Sequence, residues 1–297
     1  MAMSEKPFRC GAIALTGRPN VGKSTLLNAL LGQKLSITSR KPQTTRYSVR
    51  GILTTPGAQF VFVDTPGFQT RYVSALNRAM NQGVRSTLND VDVVLLVIDA
   101  GHFYVEDRAL LKLVPAGVPV FAVVNKIDRT GLEGLLPFLQ GVAKEERFAE
   151  IVPVSARSRK GLDELLRTLE RYLPEQPAIY RDDELTDRNE RFLAAELLRE
   201  KLFRLLGDEI PYGSRVEIDK FEQSGNLRRI HASIVVEKDS HKRIIIGSRG
   251  GKLKEIASAA RADMENLFGG KVYLETWVKV RGDWTEDAAT LKRLDYG

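Results

Sequence analysis

Residues 17–24 read Gly-Arg-Pro-Asn-Val-Gly-Lys-Ser, and they stand between two segments of opposite character. Before them Gly11–Thr16 is a short apolar run of strand length. After them Leu26, Leu27, Leu30 and Leu31 recur at helical spacing until Gly32. Glycines at 17 and 22 let successive backbone N–H groups turn inward on one point, and the helix that follows aims its positive end at the same point. A polyphosphate fits there. Gly17, Arg18, Pro19, Asn20, Val21, Gly22, Lys23, Ser24 and the adjoining Thr25 are assigned to holding it. Lys23 reaches the β- and γ-phosphates, and the Ser24 hydroxyl serves Mg²⁺.

The chain continues as alternating elements. Ser48–Leu53 and Phe60–Asp64 flank a Thr-Thr-Pro-Gly-Ala turn, and strand-like runs recur at Val93–Ile98, Val120–Val124 and Ile151–Val154. Helical patterns separate them near 74–86, 104–113, 132–144 and 161–172. The alternation predicts an α/β P-loop domain with a mainly parallel, doubly wound sheet and one antiparallel strand. Ligands of such sheets sit beyond the carboxyl ends of the strands, where the other motifs fall. Asp64-Thr65-Pro66-Gly67 ends one strand, placing Asp64 as a Mg²⁺ anchor and the Gly67 amide beside the γ-phosphate. Asn125-Lys126-Ile127-Asp128 ends another. The Asp128 carboxylate accepts from guanine N1–H and the 2-amino group, a pattern adenine lacks. Asn125 holds the loop and reads the base edge, and the Lys126 stem covers the base face. Ser155-Ala156 follows the last strand, with the Ala156 N–H facing guanine O6. The segment from Ser36 to Arg46 is polar, without periodicity, and carries Thr44 and Thr45. Such a segment orders when a threonine reaches Mg²⁺ beside a γ-phosphate. The pattern leaves open which threonine does so; Thr45 is taken for the metal and Thr44 as a nucleotide contact. Lys23, Asn20, Thr45 and Gly67 are the candidate catalytic set, and Ser24, Thr45 and Asp64 the candidate metal set.

At 297 residues the chain is long enough for two domains. No apolar run approaches the ~18 residues of a membrane span, so no transmembrane segment is expected. The first residues lack a hydrophobic signal region, Cys10 is the single cysteine, and three scattered histidines give no metal cluster. These features point to the cytoplasm. Charge is uneven: residues 1–181 carry a balance of +8 and residues 182–297 a balance of −1, yet residues 228–254 hold eight basic side chains against two acidic ones. A local basic patch of this kind meets a polyanion or is simply a solvated face.

We divide the chain into residues 1–175, a linker at 176–185 around Pro177, and residues 186–297. In the last part Thr186-Asp187 can cap a helix reaching Leu206, with Phe192, Ala195, Leu198, Leu202 and Leu205 as a buried stripe. Strands are expected at Val216–Phe221, Ile230–Val236 and Val272–Val280, a helix at Lys252–Phe268, a helical or extended run at His241–Ile246, and a short helix at 286–294. Between them lies Gly247-Ser248-Arg249-Gly250. Glycines there admit a close nucleic-acid backbone, and the next helix directs amides at phosphate. Lys242, Arg243, Arg249, Lys252 and Lys254 supply charge, Ser248 a hydroxyl, and Ile244–Ile246 an apolar floor for unstacked bases. His231, His241, Trp277 and Trp284 are read as surface or packing residues.

Phosphate loop, Asp-Thr-Pro-Gly, Asn-Lys-Ile-Asp and Ser-Ala, in that order, resemble the translation-factor-related class of GTPases. Phe68 stands where many switch GTPases carry a water-orienting Gln, which resembles the hydrophobic-substituted branch. In members of that branch an Asn matching Asn20 helps hold K⁺ in place of an arginine finger, and without such help turnover is slow, on the order of 10⁻⁴ to 10⁻² s⁻¹. Ile-Gly-Ser-Arg-Gly-Gly, with its flanking elements, resembles a type II KH RNA-binding domain. Together the two parts resemble the Era family of bacterial GTPases over essentially the whole chain. That resemblance implies a GTP/GDP- and Mg²⁺-binding protein, with K⁺ as a further ion. It further implies binding near the 3′ end of 16S rRNA, action in 30S subunit biogenesis, a monomeric state and peripheral contact with the inner face of the cell membrane. Two other classes fit the residues alone: a GTP-regulated switch docking a membrane or protein through the same basic face, and a nucleotide-binding scaffold without turnover. Asp128→Asn is expected to weaken guanine nucleotides and admit xanthine nucleotides; unchanged guanine preference in a competition assay refutes the base-reading role.

Overall fold

The computed structural model describes residues 7–68, 75–207 and 209–282. The short helix at 286–294, Trp284 and part of the segment after Asp64 lie outside them.

The first unit runs β1 (Arg9–Thr16), α1 (Lys23–Leu31), β2 (Val49–Thr54), β3 (Ala58–Asp64), α2 (Ala75–Asn89), β4 (Val93–Asp99), α3 (Val105–Leu111), β5 (Val120–Asn125), α4 (Leu132–Val142), β6 (Glu150–Pro153) and α5 (Leu162–Glu170). Its six strands lie in the order β2-β3-β1-β4-β5-β6, parallel throughout except for β2 against β3. Helices cover both faces, which is why Val93–Ile98 and Val120–Val124 are unbroken apolar runs and not alternating ones. On one face Ile13, Leu15, Phe62, Leu95 and Phe121 meet Leu26 and Leu27 of α1 and Leu165 and Leu169 of α5. On the other, Val94, Leu96 and Val124 meet Val84 and Leu88 of α2 and Leu135 of α4. The carboxyl ends of β1, β3, β4 and β5 therefore open on one edge, with a loop leaving each.

The stretch after α5 is pinned along the sheet. Gln59 accepts from the Ile179 and Tyr180 amides at 2.8 and 2.9 Å and donates to the Tyr180 carbonyl at 2.9 Å, and the Ile52 amide donates to the Leu185 carbonyl at 2.8 Å. A polar side chain buried in β3 has found its partners in the connecting chain.

The second unit is α6 (Glu190–Leu205), β7 (Ser214–Ser224), β8 (Leu227–Val236), α7 (Asp239–Ile246), α8 (Gly251–Phe268) and β9 (Lys271–Val280). β8 lies between an antiparallel β7 and a parallel β9. Ile230, Ala232, Ile234 and Val236 alternate toward a core closed by Leu197, Leu198 and Leu202 of α6 and Ile256, Ala260 and Met264 of α8.

Three sequence expectations change. Helix α6 is capped by Asn189, whose side chain accepts the Phe192 amide at 2.9 Å; Thr186 instead accepts the Arg188 amide. The β7–β8 hairpin extends past the anticipated strands, because its polar tip at 222–229 pairs in register although it has no apolar face. The stripe on α6 is also wider than expected: Leu193, Leu197 and Phe203 are buried, and so are Glu196, Arg199, Glu200 and Lys201. Charged positions outside the expected stripe are covered, because α6 lies between the two units.

Candidate functional site

The phosphate loop closes on the sheet through backbone geometry. Gly22 has φ 102°, and a Cβ there would sit 2.4 Å from Asn125 Nδ2, so only glycine fits. Lys23 is buried and donates to the Gly17 and Arg18 carbonyls at 3.0 Å each. Burial pushes its ammonium down to about 8, against the opposing charge of Asp64. Arg18 turns outward: Nε is 2.9 Å from the buried Asp107, and the guanidinium lies 4.1 Å from the Tyr104 ring centroid. Its part in the loop is its carbonyl.

Ser24, Thr45 and Asp64 converge. Ser24 Oγ is 2.6 Å from Asp64 Oδ2 and 2.9 Å from Thr45 Oγ1. Asp64 is fully buried, its pKa raised by that burial against the Ser24 hydrogen bond, and Oδ1 has no hydrogen-bond partner among the described residues. Three hard oxygen ligands and an unpaired buried carboxylate oxygen fit a Mg²⁺ ion. Thr44 is not brought to this point. Its hydroxyl meets Ser39 Oγ at 2.6 Å and the Lys41 carbonyl at 2.8 Å. Thr65 ties back to the Leu15 carbonyl at 2.8 Å, and the Phe68 amide to the Gly17 carbonyl at 3.3 Å, laying the turn through Pro66 and Gly67 on the phosphate loop. Asn20, at φ 65°, donates to the Arg40 carbonyl at 3.0 Å across the same opening. Pro19, Asn20, Lys23, Ser24, Thr25, Thr44, Thr45, Gly67 and Lys126 line one open cleft of about 440 Å³.

The base-side motif is tied into the neighbouring loops. Asn125 is 2 % exposed; its Nδ2 donates to the Val21 carbonyl at 2.9 Å, while Oδ1 accepts the Lys126 and Ala156 amides at 2.8 and 3.0 Å. Both ends of the amide are engaged in joining loops, which is the loop-holding part of the expected role. The Ala156 N–H is likewise already satisfied, so guanine O6 would have to share it. Lys126 Nζ spans to the Asn20 carbonyl and Asp99, both at 2.8 Å, stretching its stem along the cleft. Asp128 is exposed and accepts Ser155 Oγ at 2.6 Å, a bond that lowers its pKa and keeps it a carboxylate.

In the second unit Gly247 (φ 70°) and Gly250 (φ 76°) bracket the exposed Ser248 and Arg249 at the start of α8. A Cβ on Gly247 would lie 2.6 Å from Lys252 Cβ, so the loop can fold onto the helix only without one. The first turn of α8 has no side-chain cap and no acidic residue, leaving amides aimed outward. Arg243 and Lys254 are exposed, Lys242 is half-buried, and Lys252 pairs with Glu255 at 3.0 Å. The apolar floor is narrower than expected: Ile245 is fully buried in the core, leaving Ile244 and Ile246 at the surface.

Sequence reading missed the residues joining the units. Arg199 Nη2 donates to the Thr44 carbonyl at 2.6 Å, and Arg46 donates to the Pro211, Tyr212 and Ser214 carbonyls at 3.1, 2.8 and 3.0 Å. Lys34, just after α1, pairs with Glu200 and with Asp263 of α8 at 2.5 Å each, and Glu200 accepts the Thr38 amide at 2.9 Å. Burial acts to raise the Glu200 pKa, and the Lys34 and Thr38 bonds outweigh it and lower it. The only signal was a helix whose charged positions share the spacing of its apolar ones.

Comparison with known proteins follows the same division. A family model described as 50S ribosome-binding GTPase matches residues 12–126, and a KH domain model matches residues 209–285. GTPase Era of Nitrosomonas eutropha is 55% identical over 295 residues, covering 99% of this chain and 100% of that protein. That of Chromobacterium violaceum is 51% identical over 98% and 99%. The chain belongs to the Era family of GTPases. Two solved Era structures superpose with a TM-score of 0.93. One, 39% identical over 98% of this chain and 99% of that one, holds MgGDPNP and nucleotides 1506–1542 of 16S ribosomal RNA. The other, a variant of Aquifex aeolicus Era, 38% identical over 98% and 100%, holds GDP·AlF4⁻. Era membership agrees with the fold class and with GTPase activity. Among the described residues no helix is long and apolar enough to cross a membrane.

If Asn125 joins loops as described, Asn125→Ala should lower nucleotide-free stability by about 1–3 kcal/mol as well as guanine nucleotide affinity. Denaturant unfolding without nucleotide checks this; wild-type stability would refute the loop-joining role.

Proposed function

We propose that this chain is a slow, Mg²⁺-dependent GTPase that binds the 3′ region of 16S rRNA through its second unit and acts in the cytoplasm in small-subunit assembly. The observation that carries the reading is the pairing, in one chain, of the Ser24–Thr45–Asp64 oxygen cluster with the exposed Ser248-Arg249 loop at a free helix N-terminus. An Era relative holding both MgGDPNP and 16S RNA supports it. The 50S description belongs to a model reaching only residue 126, so the full-length relatives weigh more.

In this reading Ser24 and Thr45 hold Mg²⁺ and Asp64 anchors it, and the ion neutralises charge on the phosphates. Gly17–Thr25 cradle the phosphates through backbone N–H groups, with Lys23 placed behind them. Gly67 and Thr45 sit where a γ-phosphate would be sensed, Asp128 would read guanine, and Asn20 would help to hold K⁺. Segment 36–47 then reports the nucleotide to α6, because its contacts with α6 depend on the position Thr45 takes. A ligand shifts such an equilibrium only through unequal binding to the two arrangements, and the γ-phosphate contacts are the source of the difference.

RNA binding is tested on the full chain with single-stranded RNA matching the 3′ end of 16S rRNA, across a salt series. Wild type should bind with a steep salt dependence, and Ser248→Asp with Arg249→Asp should abolish binding while GTP turnover persists. Equal binding by the double variant would send the basic face to an anionic membrane or a protein instead. Phosphate release should be faster in KCl than in NaCl of equal strength; equal rates remove the K⁺ role.

A further inference from the structure

Helix α6 belongs by packing to the core of the second unit, yet one of its side chains ends in the loop that carries Thr45. Arg199 is 2 % exposed. Its Nε and Nη2 meet Glu196 Oε1 and Oε2 at 2.7 Å each, and its carbon lies 5.4 Å from the Phe203 ring centroid and 5.9 Å from that of Tyr47. Held in this way, the guanidinium has one orientation, and in that orientation Nη2 donates to the Thr44 carbonyl at 2.6 Å.

That carbonyl belongs to the peptide whose nitrogen is Thr45's. Rotation of the peptide swings Thr45 away from Ser24, which its hydroxyl meets at 2.9 Å. The Thr44 hydroxyl is anchored to Ser39 and the Lys41 carbonyl on the other side, so the peptide is held from both flanks. A buried carboxylate–guanidinium pair adds little stability over apolar side chains of similar volume, so stability alone does not account for it. We propose that Arg199 is a positioning residue for GTP hydrolysis: from the second unit it fixes the Thr44–Thr45 peptide, and through it the Thr45 hydroxyl beside Ser24 and Asp64. The chemistry recognised is a backbone carbonyl, and the hydrolytic site is complete only when the second unit is seated. The proposal rests on the reading of Thr45 as a Mg²⁺ ligand.

The test measures release of a fluorescent non-hydrolysable GTP analogue from the full chain in Mg²⁺ and in EDTA, beside single-turnover phosphate release. Thr45→Ala examines the underlying reading: it should abolish the slowing of release by Mg²⁺, and a wild-type response would overturn the assignment of Thr45 and this proposal with it. Arg199→Met combined with Glu196→Met removes the pair without leaving a buried charge. The slowing by Mg²⁺ should then fall by roughly tenfold or more, with hydrolysis falling alongside and release in EDTA nearly unchanged. A folded double variant with the wild-type Mg²⁺ response, beside an impaired Thr45→Ala, overturns the Arg199 role alone. Should the double variant fail to fold, Arg199→Lys decides: it keeps the charge and loses the fork, so an intermediate Mg²⁺ response supports the role and a wild-type response overturns it.

Discussion

The buried amide of Asn125 joins three loops that no helix or strand ladder connects. It reaches the phosphate loop at Val21, its own loop at Lys126, and the last loop at Ala156. Each loop leaves a different strand, and the parallel sheet fixes where it starts but not how it ends. A side chain with one acceptor and one donor group, held in a water-free place, sets the ends against one another. Gly22 accommodates that side chain, since a Cβ there would occupy its position. Placement of phosphate donors, of the Lys126 stem across the cleft and of Asp128 by Ser155 all presuppose this junction.

The boundary between the two units joins a buried group of ions to an apolar contact of Leu193 and Phe192 with the first core. Lys34, Glu200, Lys201 and Asp263 form one connected group, with Arg204 on its rim at 3.1 Å from Glu200 and donating to Thr38. Lys34 follows the helix that starts at the phosphate loop, and Asp263 lies on the helix that starts at the Gly247–Gly250 turn. Charges of this kind lose most of their attraction when water enters.

Much of the fold was legible because its signals are local. The octapeptide at 17–24, the apolar runs at 93–98 and 120–124, and the glycines at 247 and 250 each state a backbone requirement within a few residues. The site residues named from sequence do gather, with Thr45 rather than Thr44 beside Ser24. What could not be read was partnership across distance. That Asn125 holds three loops at once shows only when its two ends are traced to Val21 and Ala156. Arg199 and Glu200 fell outside the expected stripe of α6, because a helix cannot announce that both of its sides are covered. The start of α6 was misplaced for a smaller reason: Thr186, Asp187 and Asn189 are all good caps, and only the Phe192 amide decides between them.

Arg46, Lys41 and Arg188 share a habit that reaches past energetics. Arg46 meets the carbonyls of Pro211, Tyr212 and Ser214, Lys41 those of Leu206 and Gly207, and Arg188 that of Ser48. Every residue type offers the same carbonyl, so these bonds read the path of the main chain and are blind to the side chains along it. Where α6 hands over to β7, the path of the main chain is thus held from the first unit, while Leu206, Ile210 and Tyr212 are held by packing in the second. A hybrid made by exchanging whole units between distant relatives would fail at a changed loop length sooner than at a changed residue.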